Sequence, residues 1–143
     1  MERTVLHLLG DKGRDVWSVT SDTTIYDALG FMADRGIGAV VVIDDGELSG
    51  IFSERDYARK VVLKGLESKN TTVQQLMSTD VVTVTPSDTV MTCMTLMTER
   101  RFRHLPVVDD GAVVGVISIG DVVRNVIDEQ RYLIDQLQQY ISS

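Results

Sequence analysis

Asp44-Asp45-Gly46-Glu47-Leu48-Ser49-Gly50-Ile51-Phe52-Ser53-Glu54-Arg55-Asp56 returns 65 residues later as Asp109-Asp110-Gly111-Ala112-Val113-Val114-Gly115-Val116-Ile117-Ser118-Ile119-Gly120-Asp121. In both versions an Asp-Gly step divides two apolar runs, the signal of a tight β-hairpin. A glycine then precedes a buried strand, and Ser-x-x-Asp opens a helix. At the same offset the match spreads without a gap, laying Asp15–Val61 over Asp80–Val126 with 16 of 47 positions identical. Many other positions exchange one apolar residue for another, among them Ile25/Val90, Val40/Leu105 and Phe52/Ile117. The chain is an internal duplication.

Each copy reads as β-α-β-β-α. A short strand (Trp17–Val19; Val82–Val84) enters a turn, and a helix follows with apolar residues at three-and-four spacing. Those residues are Ile25, Ala28, Leu29 and Met32 in the first copy, and Val90, Cys93, Met94 and Met97 in the second. The hairpin strands are expected at Ala39–Ile43 and Leu48–Phe52, and at Leu105–Val108 and Val113–Ile117. The fold class is α/β (α+β), with two pseudo-symmetric units packed face to face because one alone is too small to bury its sheet. The expected division is an N-terminal segment 1–14, unit 1 at 15–63, a linker 64–71, unit 2 at 72–127 and a helical extension 128–143. Within unit 2, Thr72–Met77 reads as one helical turn leading in. The extension carries Leu133, Ile134, Leu137, Tyr140 and Ile141 as an apolar stripe that needs a cover, its own fold or a second subunit.

Composition narrows the function. Apolar residues form 43% of the chain and charged residues 24%, enough for a packed interior. The net charge of −7 repels phosphate backbones, so no nucleic-acid partner is expected. The longest fully apolar run, Ala39–Ile43, is far shorter than the roughly 20 residues of a membrane span. No signal peptide is read at the start, and one cysteine, Cys93, forms no internal disulfide. The expectation is a cytoplasmic domain without membrane contact. The sequence holds no P-loop, no Gly-x-Gly-x-x-Gly, no nucleophile–base pair and no metal-ligand spacing. No enzyme, catalytic cofactor or metal is expected.

The Ser-x-x-Asp segments admit two readings from the same atoms. As capping boxes, Ser53 with Asp56 and Ser118 with Asp121 satisfy the first N–H groups of a helix. As binding groups, the carboxylate accepts sugar hydroxyls, while the helix N-terminus and the serine face a phosphate or sugar oxygen. Arg103-His104-Leu105-Pro106 opens the second hairpin, and Pro106, lacking an N–H, leaves backbone groups free for an adenine edge. The first copy has Gly38-Ala39-Val40-Val41 there, so two sites would not be equivalent.

With these residues in view, the chain resembles a tandem pair of CBS domains, the cystathionine β-synthase-type module, in the manner of small stand-alone bacterial CBS-pair proteins. The resemblance spans residues 15–126 and leaves no room there for a catalytic domain. It implies two clefts about a pseudo-twofold axis that take an adenosine-containing ligand (AMP, ADP, ATP, NAD or S-adenosylmethionine), and a homodimer. By motif position it implies Asp56 and Asp121 on ribose hydroxyls, and Ser53 and Ser118 on sugar or phosphate. Ile37, Gly38 and Ala39, with Arg103, His104, Leu105 and Pro106, would line the base; Thr20 and Thr85 would add contacts. Arg55 is the phosphate ligand candidate for the first site, where its counterpart Gly120 leaves room instead of charge. Arg101 and Arg103 are candidates to add phosphate charge across the cleft. The implied function is a regulatory module that passes ligand state to an unidentified partner protein. The rival reading is a ligand-free dimerisation module working through its C-terminal helix.

Overall fold

The computed structural model describes residues 3–12 and 15–142. Its elements are α1 (Val5–Lys12), β1 (Ser18–Val19), α2 (Ile25–Arg35), β2 (Ala39–Asp44) and β3 (Glu47–Ser53). A short α3 (Glu54–Asp56) runs into a π-helical segment, Tyr57–Val62. Then come α4 (Val73–Leu76), α5 (Val90–Arg100), β4 (His104–Asp109), β5 (Ala112–Ser118) and α6 (Ile119–Ser142). The mixed α/β architecture is the expected one, with two repeats and small sheets.

Local chemistry explains the hairpins. Asp45-Gly46 and Asp110-Gly111 hold φ of 50°, 79°, 51° and 79°, the two positive values a type I′ turn demands. β2 pairs antiparallel with β3, and β4 with β5, and both hairpins shift register at the equivalent place, after Val42 and after Val107. α2 starts on Thr24, whose hydroxyl accepts from the Asp27 N–H, and ends on Gly36 in the left-handed region. α5 repeats this with Thr89, but its left-handed cap is Arg101, at φ 59°.

The first strand of the second copy is shorter than expected. β1 pairs in parallel with Val41 and Val42, whereas Val84 makes only an isolated bridge to Val107. Pro106 is the reason. Val84 donates to the Pro106 carbonyl and accepts from the Val108 N–H, at 3.0 and 2.8 Å. The next bond of a parallel ladder would run from residue 106 to the Val82 carbonyl, and proline has no N–H to give.

Each core is completed by a segment that precedes the other unit. α4, expected to lead into unit 2, instead sends Val73 and Leu76 into the core of unit 1, beside Ile25, Met32, Val40 and Phe52. α1 sends Val5, Leu8 and Leu9 into the core of unit 2, beside Cys93, Met97, Leu105 and Ile117. The backbone bonds match: Val5 donates to the Asp88 carbonyl and Val73 to the Thr23 carbonyl, both at 2.8 Å. The repeated glycines lie under these crossings. A Cβ on Gly115 would come within 2.5 Å of Leu9, and one on Gly50 within 2.7 Å of the Ser78 carbonyl oxygen. Exchanged segments of this kind tie the two units into one body.

α6 departs from its counterpart. Its first turns pack on unit 2 through Val122 and Asn125, but residues 128–142 are exposed, with Leu133, Ile134, Leu137, Tyr140 and Ile141 uncovered by their own fold. No helix among the described residues is long and apolar enough to cross a membrane.

Candidate ligand-binding site

Two clefts open between the units. Cleft A, about 550 Å³, is walled on one side by Ile51, Ser53, Glu54, Arg55 and Asp56 of unit 1. Its other wall comes from unit 2, through Asp80, Val81 and Val82 and through Arg101, Phe102, Arg103 and His104. Cleft B, about 390 Å³, inverts the arrangement: Val116, Ser118 and Asp121 come from unit 2, and Asp15, Trp17 and Gly36–Ala39 from unit 1. Gly38, Ala39 and His104 line both clefts. Each Ser-x-x-Asp motif therefore faces the strand opening of the opposite copy.

Both motifs form capping boxes. Ser53 N–H donates to Asp56 Oδ2 at 3.0 Å, and Asp56 N–H donates to Ser53 Oγ at 3.2 Å. The Ser118–Asp121 distances are 2.8 and 3.2 Å. One carboxylate oxygen is thus held by the cap in each cleft. The other oxygen of Asp56 lies 3.4 Å from Lys60 Nζ, and that of Asp121 lies 3.9 Å from Arg124. Lys60 reaches this position from the π-helical segment and also donates to the Leu76 carbonyl at 2.9 Å. Capping and cleft lining are compatible roles for one carboxylate, using different oxygens.

The helix N-termini offer less than the sequence suggests. Glu54 N–H donates to the Gly38 carbonyl at 3.0 Å, and Ile119 N–H to the Arg103 carbonyl at 2.8 Å. With Asp56 and Asp121 N–H bonded to the serines, two first-turn donors in each copy are already engaged. Positive charge in cleft A comes from side chains: Arg55, Arg101 and Arg103 stand together there. Arg101 and Arg103 share the cleft of the Ser53–Asp56 motif, not that of the Ser118–Asp121 motif they adjoin in sequence.

Several sequence candidates stand outside the cleft walls. Leu105 and Pro106 are buried in β4, and Leu105 belongs to the core, because alternation along the strand turns it inward. Neither residue is among those lining the two clefts. Pro106 has no N–H for the ladder bond to Val82, itself one of the residues lining cleft A. Thr20 and Thr85 are tied into turns, Thr20 with Asp22 and Thr23, Thr85 with Ser87 and Asp88. Gly120 adjoins the Ser118 hydroxyl without lining cleft B. Sequence reasoning missed Asp15 and Asp80, an identical pair in the duplication, and the aromatic residues Trp17 and Phe102. The duplication carried the signal for the aspartates, since polar identity just before a short strand has no packing explanation. Cys93 lies apart from both clefts, in the core of unit 2, where burial first and then Asp88 push its thiol up to about 11.

Comparison with known proteins agrees with this geometry. The CBS domain family model matches twice, at residues 12–63 and 73–128. The mitochondrial CBS domain-containing protein CBSX3 of Arabidopsis thaliana is 41% identical over 96% of this chain and 71% of its own length. A putative signal-transduction protein with CBS domains from Burkholderia ambifaria superimposes with a TM-score of 0.85, at 49% identity, covering 89% of this chain and 96% of that one. A CBS domain protein from Pyrobaculum aerophilum, solved in complex with AMP, gives a TM-score of 0.74 at 26% identity, covering 82% and 88%. With two matching domains, crossed core segments and paired clefts between them, the chain belongs to the CBS-domain family as a tandem pair.

Proposed function

We propose that this chain is a non-catalytic regulatory module that binds an adenosine-containing ligand, AMP, ADP, ATP or NAD, in the clefts between its two units. The observation that carries the reading is the construction of cleft A from both units, with the Ser53–Asp56 motif opposite Arg101–His104. A ligand seated there touches both units at once and so discriminates between arrangements of one against the other. Differential affinity of that kind is what a switch requires; equal affinity for both arrangements shifts nothing. The AMP complex of the Pyrobaculum relative supports the choice of ligand class. The change in packing is passed to a partner protein, and the module acts as a homodimer in the cytoplasm.

Thermal unfolding against AMP, ADP, ATP, NAD, NADH and S-adenosylmethionine, with GTP as control, tests the reading. A ligand at 100 times its dissociation constant is expected to add about 2.7 kcal/mol of stability. Folded protein that shifts with none of them, or equally with GTP, would overturn it. The exposed stripe Leu133, Ile134, Leu137, Tyr140 and Ile141 favours a second reading, dimerisation through α6 without a ligand. That reading requires the dimer to fall apart on removal of residues 129–142 and to ignore nucleotides.

A further inference from the structure

We propose that Trp17 is the base platform of cleft B: the adenine ring of the ligand stacks on its indole, while the sugar lies toward the Ser118–Asp121 motif of unit 2. The inference rests on the adenosine reading above and deepens it by naming the residue that recognises the base. Trp17 is the chain's single tryptophan and lines cleft B beside Gly36, Ile37 and Gly38. It is 41% exposed. An indole left open in a cleft wall keeps a large flat apolar surface in contact with water, and a flat aromatic ligand removes that contact.

The indole is already held in place. Its ring meets Phe31 edge to face, with centroids 6.4 Å apart and planes at 72°. Arg35 lies over both rings, its guanidinium carbon 4.8 Å from the Trp17 centroid and 3.6 Å from that of Phe31. Arg35 also donates to the Phe31 carbonyl at 3.2 Å, which ties it to α2. A ring pinned before the ligand arrives loses little rotamer freedom on binding. Open space adjoins it, since a Cβ on Gly36 or Gly38 would meet nothing within 4 Å.

Packing does not call for an indole at this place. The counterpart of Trp17 is Val82, which lines cleft A and packs on the core of unit 2. Phe31, which steadies the indole, becomes Leu96. Cleft A carries its own ring, Phe102, where cleft B has Ile37. Between the copies, the aromatic and the aliphatic side chain have exchanged places. A packing requirement would keep the ring at one position in both copies. A seat for a planar base needs only that a ring stand on one side of the cleft, and base–aromatic stacking is strong enough to set affinity.

Trp17, as the single tryptophan, reports on its own cleft. Titration of AMP into the full chain, followed both by indole emission and by calorimetry, tests the stacking. Wild type is expected to lose indole emission saturably, with a midpoint that matches a calorimetric dissociation constant. Trp17→Leu is expected to bind AMP about tenfold more weakly at one site per chain. Trp17→Phe, which restores a ring, is expected to stay within about threefold of wild type. Comparison of these two variants cancels any loss of structure that removal of the indole causes in both. AMP binding by calorimetry with unchanged emission, or equal affinities in Trp17→Leu and Trp17→Phe, would overturn the stacking while leaving the adenosine reading intact. Folded wild type that binds no AMP in calorimetry would overturn both.

Discussion

At the scale of single residues, the two repeated glycines record where the units are sewn together. Gly50 lies against the Ser78 carbonyl oxygen, at 2.7 Å from a built Cβ, and Gly115 against Leu9 Cδ2 at 2.5 Å. Backbone cannot rotate away from a new methyl, whereas the tip of Leu9 can shift within its core. Gly50→Ala is therefore expected to lose about 1–3 kcal/mol or more, and Gly115→Ala to lose less within the same range. Urea unfolding of both variants checks the order, and equal or reversed losses would contradict it. Asp56 and Asp121 behave differently, since each gives one oxygen to a cap and keeps the other near a cation. Asn at either position preserves the accepting oxygen of the cap, so stability is expected to change by less than the roughly 1 kcal/mol of a lost cap. A thermal melt of Asp56→Asn that falls by several times that amount would show the ion pair with Lys60 to be structural.

At the scale of elements, the hairpins were legible because a type I′ turn is written in two residues. Asp-Gly sits at both turns, and both adopt the positive φ pair. The capping boxes were legible for the same reason, as four-residue chemistry. The shortened strand at Val84 was readable in part: Pro106 announces a missing donor, but only the register shows that Val82 is the residue deprived. The exchange of α1 and α4 was hidden. Thr4-Val5-x-x-Leu8 and Thr72-Val73-x-x-Leu76 match at an offset of 68 instead of 65, outside the gapless duplication. Burial of a segment in the other unit's core is tertiary, and no local pattern states its destination. One asymmetry at this scale has a consequence for pH. The N–H of Ser21, at 2.9 Å, and the hydroxyl of Ser49, at 2.6 Å, hold the Asp44 carboxyl below its ordinary 3.8. A folded-state value below the unfolded one means stability that is present above 3.8 and lost as pH falls through the folded value. Asp44→Asn is thus expected to be less stable than wild type near neutrality, the gap closing from about pH 4 downward. Urea unfolding across that range measures it, and a gap constant with pH would contradict it. The equivalent turn has Pro86 in place of Ser21 and Val114 in place of Ser49, and offers no such latch.

At the scale of the molecule, duplication supplies two similar clefts and divergence makes them unlike. Motif residues that line the clefts were legible from the repeat; their grouping was not, because each cleft joins a motif to the opposite unit. That is why Arg101 and Arg103, close in sequence to one hairpin, serve the cleft of the other motif. It is also why Asp80, Val82 and Phe102 escaped notice: they reach the cleft only when two copies face each other. For the proposed regulatory function, the same crossing is the physical route. α1 and α4 bind each unit to the segment before its neighbour, so a ligand that changes the angle between units moves elements on both sides. The central claim is that Asp56 and Asp121 hold an adenosine ligand in these clefts. Calorimetric titration of AMP into wild type and into Asp56→Asn/Asp121→Asn tests it most directly. The account predicts saturable binding to wild type and an affinity about tenfold or more weaker in the double variant, with its fold retained. Equal affinity in the two proteins, or no binding to folded wild type, would contradict it.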